Sequence, residues 1–289
     1  FKHNSLYMKK ADPKTILVPT DFSPTANKAL EFAINITKIT NGKLVLMNVV
    51  DPNLLMTGPE IMSFGYMHNL LINDTISSLK DLAEEISYKY KLNVEFECLS
   101  GSILENIIKT SKARKADLII MGTHGTSGVS EWLFGSNAFS VVNSSTIPVL
   151  TVNIDSKQTE FKKIVFPYNE NLLTLKKSKQ VIEFAKLFNA SILLFGYSDS
   201  EMFSSMAALR KKGEELIAIF KKEGIHSTLN TILAEDYADE ILRFANSEKA
   251  NLITIVTNRS HSIDKVFKTK PDKKLVNHSD IPIYSVPVK

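Results

Sequence analysis

The 289-residue chain reads as an α/β protein built from two tandem copies of one unit, each a parallel sheet with helices on both faces. Three observations predict this. First, landmarks recur at fixed spacing. KTILVPTDFS from Lys14 resembles KKIVFPYNEN from Lys162, and the apolar runs ending at Val49 and Tyr197 keep the same offset of 148. ADLIIMGTHG from Ala116 resembles ANLITIVTNR from Ala250, and IPVLTV from Ile147 resembles IPIYSV from Ile281, both at an offset of 134. Second, short apolar runs alternate with helical periodicities in each copy. Such βα units close into a parallel sheet through right-handed crossovers. Third, runs such as DLIIM lack polar alternation, as expected of strands buried on both faces.

The elements of the first copy follow in order. Residues 15–19 form a short apolar strand. Ser23-Pro24 supplies an N-cap and a first-turn proline, and the helix that follows lines up Ala26, Ala29, Leu30, Ala33 and Ile36. Asn41-Gly42 ends it. The remaining pattern predicts a strand at 43–49, a helix at 74–90 with Ile76, Leu79, Ala83 and Ile86 inward, and a strand at 93–99. A helix at 102–115, a strand at 117–121, a helix at 136–144 and a strand at 147–152 complete the unit. The second copy repeats this order up to Val286. The fall in offset from 148 to 134 places an extra stretch in the first copy, most simply a loop from Asp51 to about Asn69. Its apolar content suits an arm or packing element better than a lid. The polar linker 153–160 divides a first domain, 1–153, from a second, 154–289.

Composition narrows the function classes. Hydrophobic residues make up 44% and charged residues 23%, the balance of a folded globular chain. No apolar run approaches the ~20 residues of a membrane span. FKHNSLYMKK lacks the apolar region of a signal peptide, so a cytoplasmic protein without a membrane partner is expected. A single cysteine, Cys98, excludes an intrachain disulfide and a cysteine-based zinc site. It alternates with Val94 and Phe96 and reads as a buried thiol. Only four of 35 basic residues are Arg, which disfavours a dedicated nucleic-acid binder. The formal charge of +4 is local. Residues 1–153 balance 14 basic against 14 acidic residues, whereas 259–274 alone hold six basic and two acidic ones.

A phosphate loop stands after the fourth strand. GTHGTSGVSEWLFGSNA begins at Gly122, and Gly135-Ser136 opens the next helix. Glycines at a strand's carboxyl end let a phosphate approach backbone N–H groups, and a helix N-terminus favours an anion. There is no G-x-x-x-x-G-K-[ST] motif, and no G-x-G-x-x-G follows either first strand. No Lys or Arg lies between Gly122 and Thr146, so a triphosphate there would rely on N–H dipoles, hydroxyls and Mg²⁺. His124 reads as a loop histidine, and neither a catalytic group nor a metal ligand set is assigned.

Gly122-x2-Gly125-x9-Gly135-Ser136 resembles the nucleotide-binding signature of the universal stress protein family, as do PTDFS with Asp21, NVVDP after the second strand, and IPVLTV. The resemblance covers nearly the whole chain as a tandem pair. It implies two Rossmann-like five-stranded sheets of order 3-2-1-4-5, each an α/β sandwich. It also implies ATP across the strand ends of the first copy. By position, Asp21 would contact the ribose or adenine edge, Pro19 and Thr20 would line the base pocket, and Val49 would hold adenine through its backbone. Gly122, Thr123, Gly125 and Gly135 would hug the phosphates, with Ser136 and Asn137 donating at the helix start. Ala138 stands where many nucleotide-binding members carry a hydroxyl.

The second copy departs from the signature. Asp21 becomes Asn169, Gly122 and Gly125 become Val256 and Arg259, and Gly135-Ser136 becomes Thr269-Lys270. No nucleotide is expected there. Units of this family commonly pair through their fifth strands, so the second copy is expected to act as a built-in pseudo-dimer partner, with a further homodimer left open. The resemblance implies a stress-response or regulatory protein that binds an adenine nucleotide and acts on a protein partner not named by the sequence. Two alternatives stand beside it: an ATP-independent interaction scaffold, and a slow ATPase. The loop region offers no catalytic lysine, arginine or acid–base pair for the latter.

Overall fold

A computed structural model describes residues 14–52, 64–123, 136–157, 159–169, 173–198, 203–233, 237–257 and 279–287. The first half runs β1 (Thr15–Pro19), α1 (Pro24–Thr40), β2 (Lys43–Val50), α2 (Phe64–Tyr90) and β3 (Asn93–Ser100). It continues with α3 (Ile103–Ala113), β4 (Leu118–Gly122), α4 (Ser136–Ser144) and β5 (Val149–Val152). The second half runs β6 (Lys163–Tyr168), α5 (Leu173–Phe188), β7 (Ser191–Ser198), α6 (Phe203–Lys222) and β8 (Ser227–Leu233). It ends with α7 (Tyr237–Ser247), β9 (Leu252–Thr257) and β10 (Ile283–Pro287).

Local signals act as the sequence predicts. Ser23 Oγ accepts a hydrogen bond from Ala26 N at 3.2 Å and caps α1, and Asn41 ends that helix in the left-handed region at φ 49°. The left-handed turns themselves repeat. Asn41 is matched by Asn189, and Lys115 by Lys249, at the offsets of the two copies. All five residues read as the inward face of α1 are buried.

Three expectations are corrected. Helix α2 begins at Phe64, ten residues before the expected start, so the end of the extra stretch is helical rather than loop. Nothing between Tyr66 and Asn73 is Gly or Pro, so no residue stops the helix there. Ile76 is 40% exposed, because the inward stripe steps back from Leu79 by four residues to Thr75. Cys98 is half-buried rather than buried, because β3 is an edge strand covered on one face by α2. Burial still raises its thiol pKa above the ordinary value.

Both halves have the order 3-2-1-4-5, and they join into one ten-stranded sheet, β3-β2-β1-β4-β5-β10-β9-β6-β7-β8. All pairings within a half are parallel, and β5 meets β10 antiparallel. At that seam Thr151, Leu150 and Val149 stand opposite Ile283, Tyr284 and Ser285. Leu150 and Tyr284 are themselves matched positions at the 134 offset, so a local two-fold axis passes between them. The pairing ends at Ser285, and Pro287 beyond it has no N–H to extend it.

The main core crosses the seam. It includes Phe32 of α1, Leu150 and Val152 of β5, Phe184 and Phe188 of α5, and Tyr284 of β10. Phe161, from the segment joining the halves, is fully buried at its centre. Its ring lies 5.8 Å from Phe32, 5.3 Å from Phe184 and 4.8 Å from Phe188. The same segment is tied by polar bonds to both halves: Asn35 Nδ2 donates to Thr159 O, and Ser156 Oγ to Asp280 O. Smaller cores lie on the opposite face, one under α3 and α4 and one under α7. Among the described residues no helix is long and apolar enough to cross a membrane.

Candidate functional site

In a doubly wound sheet ligands lie beyond the carboxyl ends of the strands, where the strand order reverses. In the first half that point lies between β1 and β4. The segment after β1 is held by its own polar groups. Thr20 N donates to Met47 O at 2.8 Å, extending the ladder, and Asn48 Nδ2 donates to Thr20 O at 2.7 Å. Thr20 Oγ1 accepts from Phe22 N at 3.1 Å, and Asp21 Oδ1 accepts from Ser23 N at 3.1 Å, an Asx turn. Phe22 sits at φ +62°, a conformation that costs energy for a bulky side chain and persists only where its surroundings impose it. Its ring packs on the main core, and the turn leaves Asp21 exposed at the rim.

Across the switch point stands the end of β4. Thr123 is buried, and its N–H donates to Val152 O at 3.0 Å. Gly122 lies against the first turn of α1. A Cβ there would approach Thr25 Cγ2 at 2.8 Å and the Thr25 backbone at 3.0 Å. The glycine that the sequence offers to a phosphate thus also lets β4 and α1 close on each other. Pro19 and Val49 are half-buried at the ends of β1 and β2, and Asn137 is exposed in the first turn of α4. Ser136 is the first residue of that helix. Gly125 and Gly135 lie outside the described residues, as does His124. The structure therefore places Thr20 and Asp21 just after β1 and Gly122 and Thr123 at the end of the neighbouring β4, with Val49 at the end of the next strand on the other side.

Next to the rim, Gly101 turns the chain after β3 at φ +114° and donates to Val50 O at 3.0 Å. Asn106 Nδ2 reaches back to Ser100 O and Ser102 O. His68 Nε2 and Ser100 Oγ lie 2.9 Å apart, which fixes the start of α2 above this end of the sheet. Sequence reasoning missed Asn48 and Phe22 as supports of the site. The Asp-x-Ser spacing of an Asx turn was a usable signal; Asn48 had none of its own. Among the described residues no group of three or more His, Cys, Asp or Glu is placed to hold a metal.

The second half arranges the same end differently. Tyr168 stands at the position of Thr20, and its ring turns under α6. Its hydroxyl donates to Leu209 O at 3.1 Å, and burial pushes the phenol pKa up. Two glycines make room for it. A Cβ on Gly196 would stand 2.6 Å from Tyr168 Oη, and one on Gly213 would stand 2.3 Å from it. Gly196 matches Asn48, so the residue that holds the Thr20 carbonyl is replaced where Thr20 itself is replaced. Tyr197, matching Val49, stacks on Tyr237 with ring centroids 4.4 Å apart, and Asn169 Nδ2 donates to Tyr197 Oη at 3.4 Å. Val256 holds the position of Gly122. The basic segment 259–274 lies outside the described residues.

The fold and the first rim define a doubly wound α/β protein of two like halves, with a spaced glycine sequence beginning at one switch point. Comparison with known proteins narrows this class. The model of the universal stress protein family matches residues 13–153. Universal stress protein MJ0531 of Methanocaldococcus jannaschii is 31% identical over 145 residues, covering 50% of this chain and 85% of that protein. Universal stress protein MJ0577 of the same organism is 30% identical over 152 residues, covering 48% and 94%. A universal stress protein structure from Archaeoglobus fulgidus matches with a TM-score of 0.76 at 17% identity, over 96% of this chain and 97% of that one. At that identity the likeness is one of fold, and it extends through both halves. The chain belongs to the universal stress protein family.

Proposed function

We propose that this protein is a non-enzymatic, nucleotide-responsive regulatory protein. It binds ATP at the rim of the first half through Pro19, Thr20, Asp21, Val49, Gly122, Thr123, Gly125, Gly135, Ser136 and Asn137. The second unit, 154–289, takes no nucleotide and serves the first, 1–153, as a built-in partner. The observation that supports this reading is the position of Asp21 after β1 and of Gly122 and Thr123 at the end of the adjacent β4, on the two sides of the switch point, where the sequence continues into the spaced glycine signature. Asp21 suits a ribose hydroxyl, since a carboxylate accepts strongly from O–H donors. Mg²⁺ accompanies the phosphates and takes its ligands from them and from water, as this cation commonly does. That fits a loop without Lys or Arg. In the second half the stacked Tyr197 and Tyr237, with Val256 in place of Gly122, support the absence of a site.

Asp21→Asn tests the assignment with the turn preserved, because the amide oxygen still accepts from Ser23 N. It also copies the residue that the second half carries at Asn169. A hydrogen bond to a charged group contributes about 1.5–3 kcal/mol, so the variant should bind MgATP about 10–100-fold more weakly. Thermal stabilisation by MgATP, which depends on ligand concentration relative to Kd, measures it. An unshifted wild type, or an Asp21→Asn variant shifted equally, contradicts the proposal.

A further inference from the structure

Helices α1 and α2 both end at the amino end of the first-half sheet, opposite the rim, and meet at Tyr90. Their last turns carry Lys38 and Lys89. Both ammonium groups lie on one ring: Lys38 Nζ is 3.9 Å from the Tyr90 centroid and Lys89 Nζ 5.3 Å. Beside them, Lys91 Nζ stands 4.5 Å from the centroid of Tyr88, a ring that is 80% exposed. All three lysines are exposed, and none pairs with a carboxylate among the described residues.

The second half shows the same junction with its charge balanced. Lys186 matches Lys38 at the offset of 148, and Glu223 matches Lys89 at the offset of 134. Lys186 and Glu223 form an ion pair, and Gly224 stands where Tyr90 does. In the first half a second ammonium group thus takes the place of the carboxylate. A ring face attracts a cation but supplies no counter-charge. A lysine in the last turn of a helix complements the helix dipole, which accounts for each lysine alone and not for two on one ring beside a third.

We propose that this junction takes its counter-charge from outside the chain, from an acidic segment of a partner protein. Next to it lies a groove of about 350 Å³ lined by Lys14, Asn41, Lys43, Lys91 and Asn93. Lys91 belongs to both, so junction and groove are continuous. Lys14 and Lys43 already hold Asp117 and Glu95, which leaves Lys91 to meet an incoming carboxylate. The Asn41 and Asn93 carboxamides have no hydrogen-bond partner among the described residues, and each can donate to and accept from a peptide group. That chemistry selects a polypeptide. Nucleic-acid phosphates favour Arg forks, and the Arg114 guanidinium at this end is held by Glu95 and Glu97, each at 3.1 Å. A lipid surface favours several apolar side chains to insert, and among the described residues Tyr88 and Ile39 are the large exposed ones here. The junction lies at the far end of the sheet from the nucleotide rim, so its partner binds with or without nucleotide.

Fluorescence anisotropy of a labelled peptide of eight glutamates, added to the full chain at ~50 mM salt, where surface charges are less screened, tests this. The wild type should bind it and should not bind the eight-glutamine peptide. Lys89→Glu restores the pairing used by the second half, so it should fold as the wild type does. It should bind the peptide about fivefold more weakly or worse, the effect of losing exposed ion pairs. Lys91→Gln should weaken binding as well. Lys221→Glu, the same change of net charge at a helix end of the second half, should leave it unaltered. Unchanged circular dichroism separates loss of binding from loss of fold. A wild type that does not bind, Lys89→Glu and Lys91→Gln variants that bind as the wild type does, or equal weakening by Lys221→Glu overturns the proposal. So does tighter binding of an eight-thymidine oligonucleotide or of phosphatidylserine-containing vesicles.

Discussion

Glycine does two kinds of work in this chain. Gly122 lets β4 meet Thr25 of α1 beside the candidate site, while Gly196 and Gly213 make space for the Tyr168 phenol in the other half. Gly213 lies inside α6, where alanine would gain up to about 1 kcal/mol of helix propensity. Contact at 2.3 Å with Tyr168 Oη and 2.5 Å with Leu229 Cδ1 outweighs that gain. Gly213→Ala should therefore destabilise by about 1–3 kcal/mol, the usual cost of overpacking. Tyr168→Phe in the same chain should recover part of the loss, as neighbours in contact couple non-additively. Urea denaturation of the two singles and the double checks this; additive losses would contradict the assignment. Sequence legibility was uneven at this scale. PTDFS and the spaced glycines point to the rim because their chemistry is local. The paired exchange of Thr20 and Asn48 for Tyr168 and Gly196 was not read, since its logic appears only when two strands lie side by side. Isolated glycines inside a helix and a strand were the available clue.

At the scale of elements, the strands of the first half lie within two residues of their predicted bounds, because their apolar runs are continuous and their ends carry Asn, Gly or Pro. The start of α2 was misplaced because the repeat offset marks extra residues without stating their conformation. Most informative is the segment between β5 and β6. Its polar composition reads as a linker, yet Phe161 within it fills the space between α1 and α5. One aromatic residue in a polar stretch is a weak signal in sequence and a strong one in packing. Phe161→Ala should cost about 3–5 kcal/mol, the range for deleting a buried aromatic. Since its neighbours come from both halves, wild type and variant should each unfold in a single transition by denaturant titration, the variant at lower midpoint. Two separate transitions, or a loss below about 1 kcal/mol, would show that the halves are not joined through this ring.

For the whole molecule, one ten-stranded sheet with a local two-fold axis holds two rims with different chemistry. The tandem layout and the order 3-2-1-4-5 were legible from repeats and from the family resemblance. The continuity of the core across the seam was not, because it depends on side chains from four elements meeting near Leu150 and Tyr284. The first rim carries Asp21 and Gly122 at the ends of neighbouring strands, and the second carries Tyr168, Tyr197 and Tyr237 in the corresponding region. This asymmetry is the centre of the functional reading, and the number of nucleotides bound per chain measures it directly. Calorimetric titration of the full chain with MgATP should give one equivalent. Two equivalents would contradict the loss of the second site, and no binding would contradict the first.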